Sequence, residues 1–169
     1  MKKLQRRVEK FTGLSVGLDL HKRFIQASIL DPQGDELDNP RIPANEPSLT
    51  RLFDRLQALP QARRGLRVAM EASGCFVWVF DLLKARLGAD AVRVAAPSKV
   101  NAIATAGEKT DATDAWWLAY LLQEGRLPEA FVAEGDLRRA SARERIKPLG
   151  DWEVLVAERN RMGRTSPQR

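Results

Sequence analysis

The chain has 169 residues, 44% of them hydrophobic and 30% charged, with a formal net charge of +6. That is enough for one domain with a sizeable core, short for two, and too apolar for a disordered protein. No run approaches the ~20 uncharged apolar residues of a membrane span, and one cysteine, Cys75, with one histidine, His21, excludes an internal disulfide and argues against zinc. The start, Met1-Lys2-Lys3-Leu4-Gln5-Arg6-Arg7, is basic with no apolar stretch behind it, so it does not read as a secretory signal. A cytoplasmic protein without a membrane partner is the expectation.

The positive charge is unevenly placed. Residues 1–10 carry five Lys/Arg against Glu9, and residues 136–169 carry nine against five acids. The middle, 11–135, holds 14 basic and 16 acidic residues. Basic ends suit contact with phosphate backbones, although solvated helix surface gives the same pattern.

In chain order, a basic arm over 1–12 precedes Leu14-Ser15-Val16-Gly17-Leu18-Asp19-Leu20, which alternates as a strand does. Val16, Leu18 and Leu20 share one face, and Ser15, Gly17 and Asp19 the other. Phe24–Leu30 reads as a second strand, followed by an Asp31-Pro32-Gln33-Gly34 turn. A weaker third strand covers roughly 35–42. The period then changes: Ser48 looks like an N-cap, and Leu49, Leu52, Phe53, Leu56 and Leu59 fall at helical spacing. Leu66–Glu71 is a short strand with Glu71 on the face opposite Leu66, Val68 and Met70. A helix follows from Phe76 to the stop at Gly88, then a strand over 91–95, a helical stretch over 98–106, and a helix over Ala115–Leu122 introduced by Glu108-Lys109-Thr110-Asp111-Ala112-Thr113-Asp114.

Three strands, then helices alternating with strands, call for an antiparallel portion beside a parallel one. This order matches an α/β fold of the RNase H-like (RuvC-like) type, a mixed five-stranded sheet flanked by helices over 13–135. Beyond it, 129–135 reads as an extended linker. An arginine-rich helical extension is expected over 136–162: a polar helix from Asp136 to Lys147, a break at Pro148 and Gly150, and a second piece carrying Trp152, Leu155 and Val156. Residues 163–169 are expected to be a disordered tail.

Carboxylates mark the candidate site. Asp19 ends the first strand, Glu71 ends the fourth, and Asp111 and Asp114, three apart, share a face at the start of a helix. Each has an ordinary explanation as a solvated strand end or a helix cap. In an RNase H-like sheet, however, the first and fourth strands are neighbours and a late helix crosses their ends. Four carboxylates there would repel one another unless cations neutralised them. Mg²⁺ (or Mn²⁺) is the natural occupant, and two such ions can serve a phosphodiester displacement.

The ordered segments Val16-Gly17-Leu18-Asp19-Leu20-His21-Lys22, Met70-Glu71-Ala72-Ser73-Gly74 and Lys109-Thr110-Asp111-Ala112-Thr113-Asp114-Ala115 resemble the N-terminal DEDD domain of insertion-sequence-110 transposases. Val94-Ala95-Ala96-Pro97-Ser98-Lys99-Val100 and Glu124-Gly125-Arg126-Leu127-Pro128 are similar to the same family. The resemblance implies an RNase H-like domain in which Asp19, Glu71, Asp111 and Asp114 hold magnesium for DNA strand cleavage and rejoining. It also implies homo-oligomers, here through the C-terminal helices, and a structured guide RNA. Members of the family continue into a second domain with a nucleophilic serine, which nothing after Met162 could form, so a truncated or excised transposase domain is expected. No nucleophile is transferred to Ser73, Ser98 or Ser141.

His21 and Lys22 follow the first acid and, with Lys109, are candidate nucleic-acid contacts; a solvated turn is the alternative. Trp116 and Trp117 could stack on bases or belong to the core. Two other functions remain in view. A sugar-kinase or actin-like ATPase domain shares the opening hairpin but needs a small Gly-Thr/Ser turn where Leu20-His21-Lys22 stands. A catalytically incomplete remnant that dimerises and binds nucleic acid through its basic ends also fits the charge distribution.

Overall fold

Strict alternation builds the centre of the sheet. In the computed structural model, which describes residues 9–72, 76–96, 100, 110–132 and 146–148, β1 (Leu14–Leu20) and β2 (Phe24–Leu30) form an antiparallel hairpin, with Ser15 opposite Leu30 and Leu20 opposite Ile25. β5 (Leu66–Glu71) lies parallel to β1 on its other side, and β6 (Val92–Ala95) lies parallel to β5. The fold is thus mixed α/β, and its strand order is consistent with an RNase H-like fold.

The sheet has six strands rather than the expected five. The weak third strand is divided into β3 (Glu36–Asp38) and β4 (Arg41–Pro43), both antiparallel to β2. Pro40 lacks an N–H and cannot continue a ladder as a donor; its carbonyl instead accepts from the Ala27 amide at 2.9 Å. The main path runs β3-β2-β1-β5-β6, with β4 also on β2.

One face of the sheet makes the larger core. Val16, Leu18, Ile25, Ile29, Val68 and Met70 pack there against α1 (Glu46–Ala58) and α2 (Phe76–Leu87) through side chains such as Phe53 and Leu83. α1 begins earlier than Ser48 suggests. Asn45 is its N-cap, accepting from the Ser48 amide at 2.9 Å, and Pro47 lies inside the first turn. Proline is tolerated there because its missing N–H would have had no helical partner.

The opposite face carries α3 (Asp111–Gln123), which crosses β1, β2 and β5. Leu118, Leu121 and Leu122 pack with Ala69 and Ala95 into a second, smaller core. At its C-terminus the Gly125 amide bonds to the Leu122 carbonyl and the Arg126 amide to the Leu121 carbonyl, with Gly125 at φ +64°. This is the paired bonding that a left-handed glycine permits at a helix end. The Phe11 amide bonds to the Gln123 carbonyl at 2.7 Å, and the Gln123 amide side chain donates to the Asp31 carbonyl.

Two short strands, β7 (Ala130–Val132) and β8 (Ile146–Pro148), form a separate antiparallel pair. This corrects the expected polar helix at its end, since Ile146 and Lys147 are strand residues. Ladder bonding to 130–132 prevails there over the helical pattern read from local spacing. The rest of that extension, the tail, the arm over 1–8 and most of the 98–106 stretch lie outside the described residues. No helix among the described residues is long and apolar enough to cross a membrane.

Candidate metal centre

The β1–β5 register sets the first two acids. Leu18 pairs with Met70, so the next positions, Asp19 and Glu71, end neighbouring parallel strands side by side. Alternation turns both toward the face that carries Gly17 and Ala69, the face under α3.

Gly17 explains how α3 comes so close. A Cβ built at this position would lie 1.9 Å from the Ala115 carbonyl oxygen and 2.6 Å from the Ala119 amide nitrogen, both in the helix main chain. Ala115 and Ala119, four apart, present the small side of the helix to the strand and are fully buried. Backbone-to-backbone contact at Gly17 thereby fixes the height of the helix start over the end of β1.

The helix start itself is capped by Thr110. Its Oγ1 accepts from the Thr113 amide at 3.1 Å and lies 2.7 Å from the Thr113 hydroxyl. Neither Asp111 nor Asp114 is therefore needed as the cap, and both remain in the first turn as acids. Replacing Thr110 with alanine is expected to cost about 1 kcal/mol, read as a lower denaturation midpoint at unchanged slope, with Thr110→Ser close to wild type. An unchanged midpoint in Thr110→Ala would refute this role.

Asp19, His21 and Asp111 converge. One potential ligand atom from each lies within 4.8 Å of the others. His21 Nε2 is 2.8 Å from Asp19 Oδ2 and 3.4 Å from Asp111 Oδ1. An ionised carboxylate only accepts, so in this arrangement Nε2 carries the proton. The ring is held from behind by stacking on Phe24, 4.3 Å between centroids, and the His21 amide bonds to the Phe24 carbonyl across the hairpin turn. Asp111 also receives Arg41, whose Nη2 lies 2.9 Å from its Oδ2.

Of the expected four carboxylates, then, the structure brings Asp19 and Asp111 into one group. Glu71 and Asp114 stand beside it, on the adjacent strand end and in the same helical turn, but are not members of the three-residue group. His21, read as a phosphate contact, lies against Asp19 and Asp111 with its side chain partly exposed. Lys22 is exposed at the hairpin turn, and Lys109 lies outside the described residues. Arg41 was missed by sequence reasoning; the only available signal was its position in a weak edge segment, next to a proline. Trp116 and Trp117 are half-buried: Trp117 and Tyr120 pack on the smaller core, and the Trp116 ring stacks on Tyr120 at 4.9 Å. A cavity of about 390 Å³ between β4 and α1 is lined by Ile42, Arg51 and Arg55 among others, and by none of the acids.

With this geometry in place, comparison with known families is decisive. A family model described as a transposase, that of the DEDD transposases of the insertion-sequence-110 type, matches residues 16–145. The chain belongs to this transposase family. The match takes in most of β1 and every acid of the candidate site, and it decides against the sugar-kinase or actin-like alternative. A search of curated proteins found no match. As a member of the DEDD transposases, the chain is assigned to DNA transposition and recombination.

Proposed function

We propose that this transposase domain binds Mg²⁺ or Mn²⁺ through Asp19, Glu71, Asp111 and Asp114 and uses it to cleave and rejoin DNA strands on an RNase H-like fold. The observation that carries the reading is the convergence of Asp19 and Asp111, from a strand end and a distant helix start, on one imidazole. The donor set fits the ion: carboxylate oxygens are the ligands a hard divalent cation takes. When bound, such an ion supplies positive charge to a phosphodiester and orients its attacking and leaving oxygens.

The chain's own residues perform the rest. Asp19 and Asp111 hold the centre, and Glu71 and Asp114 complete it from adjacent positions. His21, pinned by Phe24, orients the two carboxylates, a supporting role of the kind that outer-shell partners have in metal sites. Lys22, with Lys109, contacts the DNA backbone. A structured guide RNA and a second copy of the chain are the partners that the family resemblance adds.

Calorimetric titration with Mn²⁺ tests the site. Wild type is expected to bind and to gain thermal stability, and Asp19→Asn to lose both while remaining folded. Equal binding by the two proteins would remove Asp19 from the site. No binding by either would leave the alternative, a fold that binds nucleic acid without a working centre.

A further inference from the structure

We propose that Arg41 is the phosphate-binding arm of this site, exchanging Asp111 for a phosphate of the nucleic-acid backbone when a divalent cation takes the carboxylates. The inference rests on the metal reading above and extends it to a residue outside the four acids.

Arg41 is held in three places. Its Nη2 bonds to Asp111 Oδ2 at 2.9 Å, its Nε donates to Gln26 Oε1 at 3.2 Å, and its guanidinium carbon lies 4.2 Å from the centre of the Phe24 ring. Two of these contacts belong to the β-hairpin and do not involve Asp111. Gln26 is itself buried and donates to the Asn39 carbonyl at 3.1 Å, so its oxygen stays presented to Arg41. The guanidinium therefore keeps its place at the edge of the site after Asp111 lets go.

The third contact is the replaceable one. The Arg41 side chain is 56% exposed and that of Asp111 35% exposed, and ion pairs so open to water contribute little. A divalent cation on Asp111 carries twice the charge of the guanidinium and repels it. The freed Nη groups then face outward beside the cation, and a planar guanidinium takes two phosphate oxygens in a fork that lysine cannot reproduce. Other arginine ion pairs among the described residues, Arg86 with Asp54, Arg55 with Asp38 and Arg93 with Glu129, have partners outside the acid group. Arg41 alone among these is tied to a candidate metal ligand.

The test uses the full chain, fluorescence anisotropy of a labelled 30-base-pair DNA duplex, and a KCl series in either EDTA or Ca²⁺. In Ca²⁺, Arg41→Gln is expected to bind several-fold more weakly than wild type, with the log–log salt slope reduced by about one. In EDTA the two are expected to bind alike. Arg41→Lys should restore the slope and only part of the affinity. A duplex RNA of the same sequence, run in parallel, identifies which backbone the exchange serves.

Equal weakening in EDTA and Ca²⁺ would overturn the exchange in favour of a constant basic contact. No weakening in either would reduce Arg41 to a structural ion pair. Parallel Mn²⁺ titration separates this inference from the reading beneath it. Binding by wild type, and binding at least as tight by Arg41→Gln, is expected. Weaker Mn²⁺ binding by Arg41→Gln would make Arg41 a support of the carboxylates and overturn the exchange, whereas no binding by wild type would overturn the metal reading itself.

Discussion

Asp111→Asn is expected to lose at least about 100-fold in metal-supported DNA strand cleavage, since even outer-shell partners of a metal are worth about 10- to 100-fold. Stability should hardly move. The Asp111 side chain is 35% exposed, and its contacts to His21 and Arg41 are open to water, so their loss costs at most about 1 kcal/mol. For a chain of this size that is a shift of about 2–4 °C in melting temperature. Asparagine also keeps one oxygen for Arg41 and removes a negative charge from beside Asp19. Activity and melting temperature measured on the same preparation check the pair of outcomes. Cleavage within tenfold of wild type would remove Asp111 from the reaction.

Gly17→Ala is expected to fail differently, losing stability and metal affinity together. Its methyl group would stand 1.9 Å from the Ala115 oxygen and 2.6 Å from the Ala119 nitrogen. Neither is the tip of a movable side chain. The whole helix must rise off the sheet, opening the contacts of Leu118 and Leu122 with Ala69 and Ala95. Overpacking of a rigid contact costs about 1–3 kcal/mol, and a main-chain clash belongs at the upper end, or about 6–12 °C in melting temperature. Asp111 and Asp114 ride on that helix, so they move away from Asp19 and Glu71. A misplacement of about 1 Å is enough for a large functional loss, and Mn²⁺ affinity should fall about 10-fold or more in the folded variant. A variant that melts like wild type and binds Mn²⁺ normally would refute the role assigned to Gly17.

Much of this was legible in the sequence because alternation is a strong signal. It placed Asp19 and Glu71 on the faces they occupy, and the shared-face rule placed Asp111 beside Asp114. Recognising β1 and β5 as neighbours needed only the element order. What was not legible depended on side chains reaching across the fold. Thr110 rather than an aspartate caps α3, which local spacing could not decide because threonine and aspartate both cap well. His21 lies against the two acids because Phe24 stacks behind it, a contact that hairpin closure creates. Arg41 sits in a segment too short and too polar to show a period, and it reaches Asp111 only after β4 folds onto β2. The division at Asn39-Pro40 and the strand at Ile146–Pro148 escaped for a similar reason, because ladder partners far along the chain override local pattern.

The two ends of α3 are moored by different kinds of bond. At the far end, fully buried Gln123 ties the helix to the Asp31 turn, and the segment before β1 bonds to the same residue. At the near end, the acids hold to the hairpin through Arg41 and His21, in contacts that water reaches. Buried hydrogen bonds set the position of a helix, while exposed ion pairs can be traded at little cost. The helix body is therefore fixed at both Gly17 and Gln123, and the adjustable part is the Asp111 carboxylate at its tip. Ligand geometry at the tip can be refined by an arriving cation and phosphate without the fold having to give way.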